Sequence, residues 1–201
     1  MINAIIFDFG DVFINLDKQA TQDQLRQLGL TAWHDDLNEL NMAFEKGNCT
    51  RDAFLNGFQK HLPHASPEEI LAAWNAILLD FPLYRLEFLQ LLSQKYRLFL
   101  LSNTDAIHID TFEQKTGSSF YSAFYQCFEK VYFSFEVGMR KPDAEIYLHV
   151  LQQNELSPKR TLFVDDKKEN TDAAQALGMQ VWHLQVGKED VVDLFKKNSL
   201  D

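Results

Sequence analysis

The sequence has few cysteines and no long apolar run. Its two cysteines, Cys49 and Cys127, lie far apart and form no metal-binding or redox motif, so we expect free thiols in a reducing compartment. No apolar run approaches the length of a membrane span, and the apolar stretch near the first residue is too short for a signal peptide. These absences predict a cytoplasmic protein.

Basic residues are also in deficit, because 19 lysines and arginines face 29 aspartates and glutamates, giving a net charge of -10. This charge repels nucleic acids and anionic membranes and disfavours both as partners. A local positive patch would still bind a phosphorylated small molecule. We therefore expect a small-molecule partner, no nucleic acid, no membrane and, by default, a monomer.

Four short apolar runs predict buried strands, and helical patterns lie between most of them. The runs cover residues 4–7, 98–101, 161–164 and 181–184. Strands that alternate with helices are typical of a parallel sheet with helical crossovers. The predicted fold is an α/β, Rossmann-like three-layer core, which at 201 residues leaves room for a modest insertion.

The insertion is predicted at residues 15–82, which show helical patterns but no convincing strand. Ser66, Pro67 and Glu69 form a helix start signal, with a serine cap, a first-turn proline and a capping-box glutamate. The core domain would then comprise residues 1–14 and 83–201, and residues 15–82 a small helical cap. An insertion directly after the first strand lies over the carboxyl edge of the sheet, where it forms a lid.

Acidic side chains follow two of the predicted strands. Asp8 ends the first apolar run, and Asp165 and Asp166 end the third. Open α/β sheets bind ligands at the carboxyl ends of their strands, so three carboxylates would meet at one edge. Such a cluster needs a cation, and oxygen ligands favour Mg²⁺ over zinc.

Two further segments predict a phosphate site beside these carboxylates. Ser102 and Asn103 lie where the second strand ends and a helix begins, and unpaired amide groups at a helix N-terminus attract anions. Lys141 precedes another helix and supplies a positive charge. A phosphoryl group held by lysine, serine and magnesium, with a carboxylate nucleophile in line, is the chemistry that these residues predict.

The motifs IIFDFGDV, LLSNT, GMRKPDAEIY and FVDDKKEN, the last followed by TDAAQALGM, occur in this order across residues 4 to about 180. In order and spacing they resemble the haloacid dehalogenase-like (HAD) hydrolase superfamily. The resemblance is greatest to a branch of phosphatases with a helical C1 cap that includes α-D-glucose-1-phosphate phosphatase.

The resemblance implies a role for each matching residue. Asp8 corresponds to the nucleophile that forms an aspartyl-phosphate, and Ser102 to the phosphate-binding hydroxyl. Lys141 corresponds to the lysine that neutralises the charge of the nucleophile and of the phosphoryl oxygens. The implied magnesium ligands are Asp8, Asp165, Asp166 and the carbonyl oxygen of Gly10. Asn170 is implied as a support for the metal loop. From its position after Ser102, Asn103 is predicted to bind phosphate or substrate, and residues 45–48 are predicted to form a specificity loop in the cap.

One departure from the family pattern affects the expected mechanism. Most phosphatases of the family carry an acid/base aspartate two residues after the nucleophile, where this chain has Gly10. A positioned acid/base typically contributes about 10²–10⁴-fold to the rate. A substrate with an acidic leaving hydroxyl, such as a sugar 1-phosphate, needs it less. Alternatively Asp11 replaces it, or the protein is slow or inactive.

The predicted function is a Mg²⁺-dependent phosphomonoesterase that acts on a small metabolite, such as a hexose 1-phosphate. Two alternatives stay open. A phosphometabolite-binding regulator would keep the site without turnover. A haloacid dehalogenase would also lack the second acid, but the paired Asp165 and Asp166 favour the phosphatase.

Overall fold

Five parallel strands form the centre of the protein, in the computed structural model that describes residues 1–197. In chain order the strands are β1 (Ala4–Phe7), β2 (Arg97–Ser102), β3 (Lys130–Phe133), β4 (Thr161–Asp165) and β5 (Gln180–His183). Their order in the sheet is β3-β2-β1-β4-β5. The chain therefore builds the sheet outwards from β1, first to one side and then to the other, and the carboxyl end of β1 lies at the switch point.

Helices cover both faces of the sheet, which is why the central strands are apolar throughout. On one face, α5 (Leu83–Leu92), α6 (Ala106–Thr116) and α7 (Ser118–Tyr125) contribute to a cluster rich in phenylalanine. On the other, α9 (Ala144–Gln153) and α10 (Lys168–Ala176) pack in a second cluster. Two short helices, α8 (Ser134–Val137) and α11 (Leu194–Lys197), complete the layers. The predicted three-layer α/β fold is confirmed.

Four helices lie between β1 and α5. They are α1 (Ala20–Gln27), α2 (Asp35–Glu45), α3 (Arg51–Gln59) and α4 (Pro67–Asn75). Their apolar cluster includes Phe54 and Phe58, and all its buried members except Ile107 of α6 come from this segment. The capping box predicted from Ser66 and Glu69 is present at the start of α4. The division into a core and a cap at residues 15–82 stays a prediction, which this separate cluster favours.

The two connections to these helices run side by side. The amide of Asn15 donates to the carbonyl of Asp80 at 2.9 Å, and the amide of Leu79 donates back to Asn15 at 3.0 Å. A further bond joins the Asp17 amide to the Ile77 carbonyl at 2.9 Å. This short antiparallel ladder fixes where the helical segment leaves the sheet and returns to it.

The sequence patterns missed one strand, β3. It lies at an edge of the sheet and begins with Lys130, which is exposed. A lysine suits an edge strand because it discourages pairing with other chains, but it also interrupts the apolar signal. Among the described residues, none of the helices combines the length and apolar character that crossing a membrane requires.

Candidate active site

Asp8 and Asp165 meet because β1 and β4 are neighbours in register. Phe7 pairs with Val164, and the amide of Asp8 donates to the Val164 carbonyl at 2.9 Å. Asp166 follows directly. One oxygen from each of the three carboxylates lies within 4.8 Å of the others. This arrangement of hard oxygen donors fits Mg²⁺, as the sequence predicts.

Lys141 supplies a positive charge to this cluster of carboxylates. It is fully buried, and its Nζ donates at 2.7 Å to Asp8 Oδ1 and at 2.7 Å to Asp165 Oδ2. Burial opposes the charged ammonium, but Asp165 and Asp8 outweigh burial and raise the pKa of Lys141. Such a buried charge is stable only within a hydrogen-bonded network, so Lys141 and the two carboxylates form one unit.

Asp8, the candidate nucleophile, has an unusually high pKa. Burial raises the pKa of Asp8 to about 7, against the opposing effect of Lys141, and Asp165 raises it further. A second positive charge at the cluster would stabilise the ionised carboxylate. The strongly shifted pKa in a cavity is typical of catalytic groups.

Asp165 and Asp166 have different surroundings. Asp165 is fully buried and accepts from Lys141, from the Lys167 amide at 2.8 Å, and from Asn170 Nδ2 at 3.0 Å on both oxygens. These contacts engage both of its oxygens. Asp166 instead lines the cavity described below, and of its two carboxylate oxygens only Oδ2 is paired within the described residues, with Lys18 at 2.8 Å. The geometry therefore favours Asp166 for direct metal binding and Asp165 for orienting Lys141.

Asn103 holds the backbone of Lys141 at both ends. Its Oδ1 accepts from the Lys141 amide at 2.9 Å, and its Nδ2 donates to the Lys141 carbonyl at 2.8 Å. The side chain for which the sequence implied a contact with phosphate or substrate is thus engaged in positioning the lysine. Nearby, the hydroxyl of Ser134 bonds to both the amide and the carbonyl of Thr104 and fixes the loop before α6.

A cavity of about 270 Å³ lies over these groups. We call the side formed by the strand ends and their loops the floor, and the side formed by α2 and α4 the roof. The predicted site residues that line the floor are Asp8, Gly10, Ser102, Asn103, Lys141, Asp166 and Asn170. Asn41 and Glu45 of α2 and Trp74 of α4 line the roof. Ligand pockets commonly measure roughly 300–1,000 Å³, so this volume indicates a small ligand.

The space beside Gly10 is filled. A Cβ atom at this position would lie 2.8 Å from Leu16 Cδ1, so the leucine occupies part of the volume that an aspartate would need. Asp11 takes the left-handed conformation, with φ +56°. Its carboxylate accepts from the Leu16 amide at 3.1 Å and pairs with Lys18 Nζ at 2.7 Å. Asp11 is not among the residues that line the cavity.

Lys18 was missed in the sequence. Its Nζ bridges Asp11 at 2.7 Å and Asp166 Oδ2 at 2.8 Å, and its side chain is 55% exposed at the edge of the cavity. No motif singles out this lysine, because it meets Asp166 across 148 positions of sequence. It connects the segment leading into α1 with the predicted metal site.

A second missed cluster joins roof and floor. The indole Nε1 of Trp74 donates to Asp105 Oδ2 at 3.1 Å, and the Trp74 ring stacks on His108 with centroids 5.3 Å apart. His108 Nδ1 lies 3.0 Å from the same Asp105 oxygen, and its Nε2 lies 3.1 Å from the Trp74 carbonyl. Both ring nitrogens thus face acceptors, and only the imidazolium can donate to both.

The electrostatics of this cluster agree with a charged histidine. Burial opposes protonation of His108, but the Asp105 carboxylate outweighs burial and raises the pKa of His108. In return, His108 holds the pKa of Asp105 below its ordinary value although Asp105 is buried. Asp105 also caps α6 by accepting from the His108 amide at 3.0 Å. These contacts therefore fasten the start of α6 to α4.

The loop after α2 also contacts the core. Glu45 pairs with Arg140 at 2.9 Å, and Lys46 pairs with Asp143 at 3.3 Å. Gly47 has φ +69° and packs so closely on the Phe135 carbonyl that a Cβ atom would collide with it. These contacts bring the predicted specificity loop next to the segment that carries the catalytic lysine candidate.

Known phosphatases resemble this chain, one over most of its length and another over part of it. D-ribitol-5-phosphate phosphatase of Bacteroides thetaiotaomicron is 27% identical over 199 residues, covering 94% of this chain and 95% of that protein. A sesquiterpene phosphatase of Aspergillus oryzae is 54% identical over 57 residues, or 28% of this chain and 29% of its own.

A solved structure supports the same relationship. A HAD family enzyme of Bacteroides thetaiotaomicron, in complex with magnesium and inorganic phosphate, is 32% identical and superimposes with a TM-score of 0.83. The superposition covers 94% of this chain and 97% of that enzyme. Residues 5–184 match the family described as haloacid dehalogenase-like hydrolase. The chain therefore belongs to the haloacid dehalogenase-like hydrolases, as the order of its motifs predicts.

Proposed function

We propose that this hydrolase is a Mg²⁺-dependent phosphomonoesterase that works through an aspartyl-phosphate on Asp8. The observation that carries the proposal is the buried Lys141 ammonium, held at 2.7 Å from both Asp8 and Asp165 in the floor of a small cavity. A lysine fixed against the nucleophile stabilises phosphoryl oxygens that arrive there. The solved relative that contains magnesium and phosphate supports this assignment.

In the first step, the Asp8 carboxylate attacks phosphorus while the bond to the leaving oxygen breaks. The Lys141 ammonium and the Ser102 hydroxyl hold the phosphoryl oxygens in line with the attack. Asp8, Asp166 and the Gly10 carbonyl would hold Mg²⁺, with Asp165 also among the ligands predicted from the sequence. When bound, Mg²⁺ supplies positive charge to the phosphoryl group. Water then hydrolyses the aspartyl-phosphate, releasing inorganic phosphate and restoring the Asp8 carboxylate.

The leaving oxygen takes its proton from water, because position 10 carries no carboxylate. Positioning and charge stabilisation account for most of the catalysis of phosphoryl transfer, so the reaction tolerates a missing acid. Hexose 1-phosphates fit this site because their anomeric oxygen is a good leaving group. Ribitol 5-phosphate, the substrate that the name of one relative gives, releases a poorer primary alkoxide. These two classes are the first substrates to compare.

The experiment measures phosphate release from para-nitrophenyl phosphate, hexose 1- and 6-phosphates and ribitol 5-phosphate, with Mg²⁺ and with chelator. We expect Mg²⁺-dependent release that Asp8→Asn abolishes, whereas Asp52→Asn, an exposed control, retains it. Absence of release across the panel would favour a phosphometabolite-binding regulator. Chelator-resistant release that persists in Asp8→Asn would contradict both the nucleophile and the metal.

A further inference from the structure

The roof of the cavity carries a polar group that folding does not use. Asn41 lies within α2, where asparagine is a poor helix former. It lines the cavity, and its Oδ1 is buried with no hydrogen-bond partner among the residues that the structure describes. Buried polar atoms are nearly always paired in native proteins. A group that lacks a partner in a ligand cavity is best explained by a ligand that supplies one.

Glu45 extends the same surface by one turn of helix. Arg140 Nε and Nη2 both contact Glu45 Oε2, at 3.0 and 2.9 Å. The ion pair fixes the carboxylate. Within residues 1–197, no group donates a hydrogen bond to its other oxygen, Oε1. Because residues four apart are neighbours on a helix, Asn41 and Glu45 present two acceptor oxygens side by side.

We propose that Asn41 and Glu45 select a neutral, polyhydroxylated leaving group, such as the chain of a pentitol or sugar phosphate. The proposal rests on the proposed phosphatase function and states which part of the substrate the roof contacts. Two acceptor oxygens pair with neighbouring hydroxyl donors. Arg140 offsets much of the charge of Glu45, but neither Glu45 nor Asn41 Oδ1 donates a hydrogen, so leaving groups that bring only acceptor oxygens, such as a carboxylate or a second phosphate, are disfavoured. An apolar leaving group leaves both acceptors buried without partners, and sites of this kind reject such ligands strongly.

A pair of substrates tests the recognition of hydroxyl groups. Ribitol 5-phosphate and n-pentyl phosphate have the same chain length and both release a primary alkoxide, but only the first has hydroxyls to donate. We expect the native protein to prefer ribitol 5-phosphate by about 100-fold or more in kcat/KM, as expected when a site built for hydroxyls loses them. Asn41→Leu should narrow this ratio about tenfold, corresponding to one lost hydrogen bond.

The matched control is Asn75→Leu. Asn75 Oδ1 is also buried without a partner, but Asn75 does not line the cavity. This variant should leave the substrate ratio unchanged. Asn41→Leu should unfold at the same or a higher temperature than the native protein, because it removes an unpaired buried atom. A lower melting temperature with an unchanged substrate ratio would assign Asn41 to stability and overturn the proposal.

A third substrate tests the charge of Glu45. The compound 4-carboxybutyl phosphate has the same five-carbon chain with a carboxylate in place of the terminal methyl, and Glu45→Gln should raise its kcat/KM relative to pentyl phosphate about tenfold. Glu39→Gln, an exposed position on α2, is the control that should not.

The results separate the two proposals. Equal kcat/KM values for ribitol and pentyl phosphates, or hydrolysis of the aryl phosphate alone, overturn the assignment of the roof. Either result leaves the phosphatase function standing, because Mg²⁺-dependent hydrolysis would still be observed. Failure of the proposed function would instead appear as no Asp8-dependent release from any of these compounds.

Discussion

The floor and the roof of the cavity differ in what their polar groups contact. In the floor, both oxygens of Asp165 are engaged and Lys141 contacts two carboxylates, although Asn170 Oδ1 lacks a partner among the described residues. In the roof, Asn41 Oδ1 lacks a partner within the described chain. A phosphoryl group is the same in every substrate, so a prearranged network serves it well. The leaving group differs between substrates, so an unpaired acceptor in the roof contributes to the selection between them.

The two regions should therefore respond differently to mutation. A change in the floor should lower kcat for every substrate by a similar factor, since each substrate presents the same phosphoryl group. A change in the roof should alter the ranking of substrates and leave the smallest ones unaffected. This comparison can be broken by a floor variant that changes the ranking of substrates.

Lys141→Met should have the largest effect. It leaves the buried carboxylates of Asp8 and Asp165 without a countercharge, and removing one partner of a buried ion pair typically costs about 3–5 kcal/mol. We expect this loss in urea denaturation, and a fall in kcat of about 10³-fold or more for all substrates, since electrostatic stabilisation dominates this chemistry. Lys159→Met, at an exposed position, is the control. Activity within tenfold of the native value would contradict the role of Lys141.

Asn103→Ala should have the next largest effect. It removes the two hydrogen bonds that hold the Lys141 backbone, so the ammonium loses its fixed position. Misplacement of a catalytic group by 1 Å can lower rates about 10²-fold, and we expect a loss of kcat of this order with little change in KM. Steady-state kinetics on two unlike substrates would measure it. A large rise in KM for only one substrate would show that Asn103 contacts substrate, as its position after Ser102 predicts.

Much of the floor could be predicted from the sequence, whereas of the roof only Glu45 was named, within the predicted specificity loop 45–48. Asp8, Asp165 and Asp166 each end an apolar run, so parallel pairing of those runs brings the carboxylates together. Lys18, Trp74 and His108 carry no such local signal. Their contacts depend on how helices from separate segments pack, and hydrophobic periodicity gives no information about side-chain pairs. β3 was missed because the exposed Lys130 interrupts the apolar pattern of this edge strand.

His108→Gln should change the pH dependence of stability. The folded-state pKa of His108 is raised, so its contribution is complete below the ordinary value of 6.5 and is lost as pH rises through the folded-state value. Deprotonated His108 can donate only one hydrogen bond to its two acceptors. We expect the native protein to be more stable than His108→Gln by about 1–3 kcal/mol at low pH, typical of hydrogen bonds to charged groups.

Urea denaturation at several pH values measures this difference, which should shrink towards alkaline pH. The exposed His64 offers a control, because His64→Gln should leave the curve of stability against pH unchanged. A difference that stays constant with pH would indicate that His108 contributes by packing on Trp74 and is not charged at neutral pH.

Asp11→Asn should have the smallest effect, and it decides between two explanations of Gly10. The Asp11 carboxylate bonds to the Leu16 amide and Lys18 and does not line the cavity. Lys18 is 55% exposed although Asp11 is buried, so solvent screens this ion pair in part and it contributes about 1 kcal/mol. We therefore expect rates within tenfold of the native protein, lowered equally for para-nitrophenyl phosphate and ribitol 5-phosphate. If Asp11 instead donates the proton, the variant should lose at least tenfold on ribitol 5-phosphate alone, because only that leaving group needs an acid.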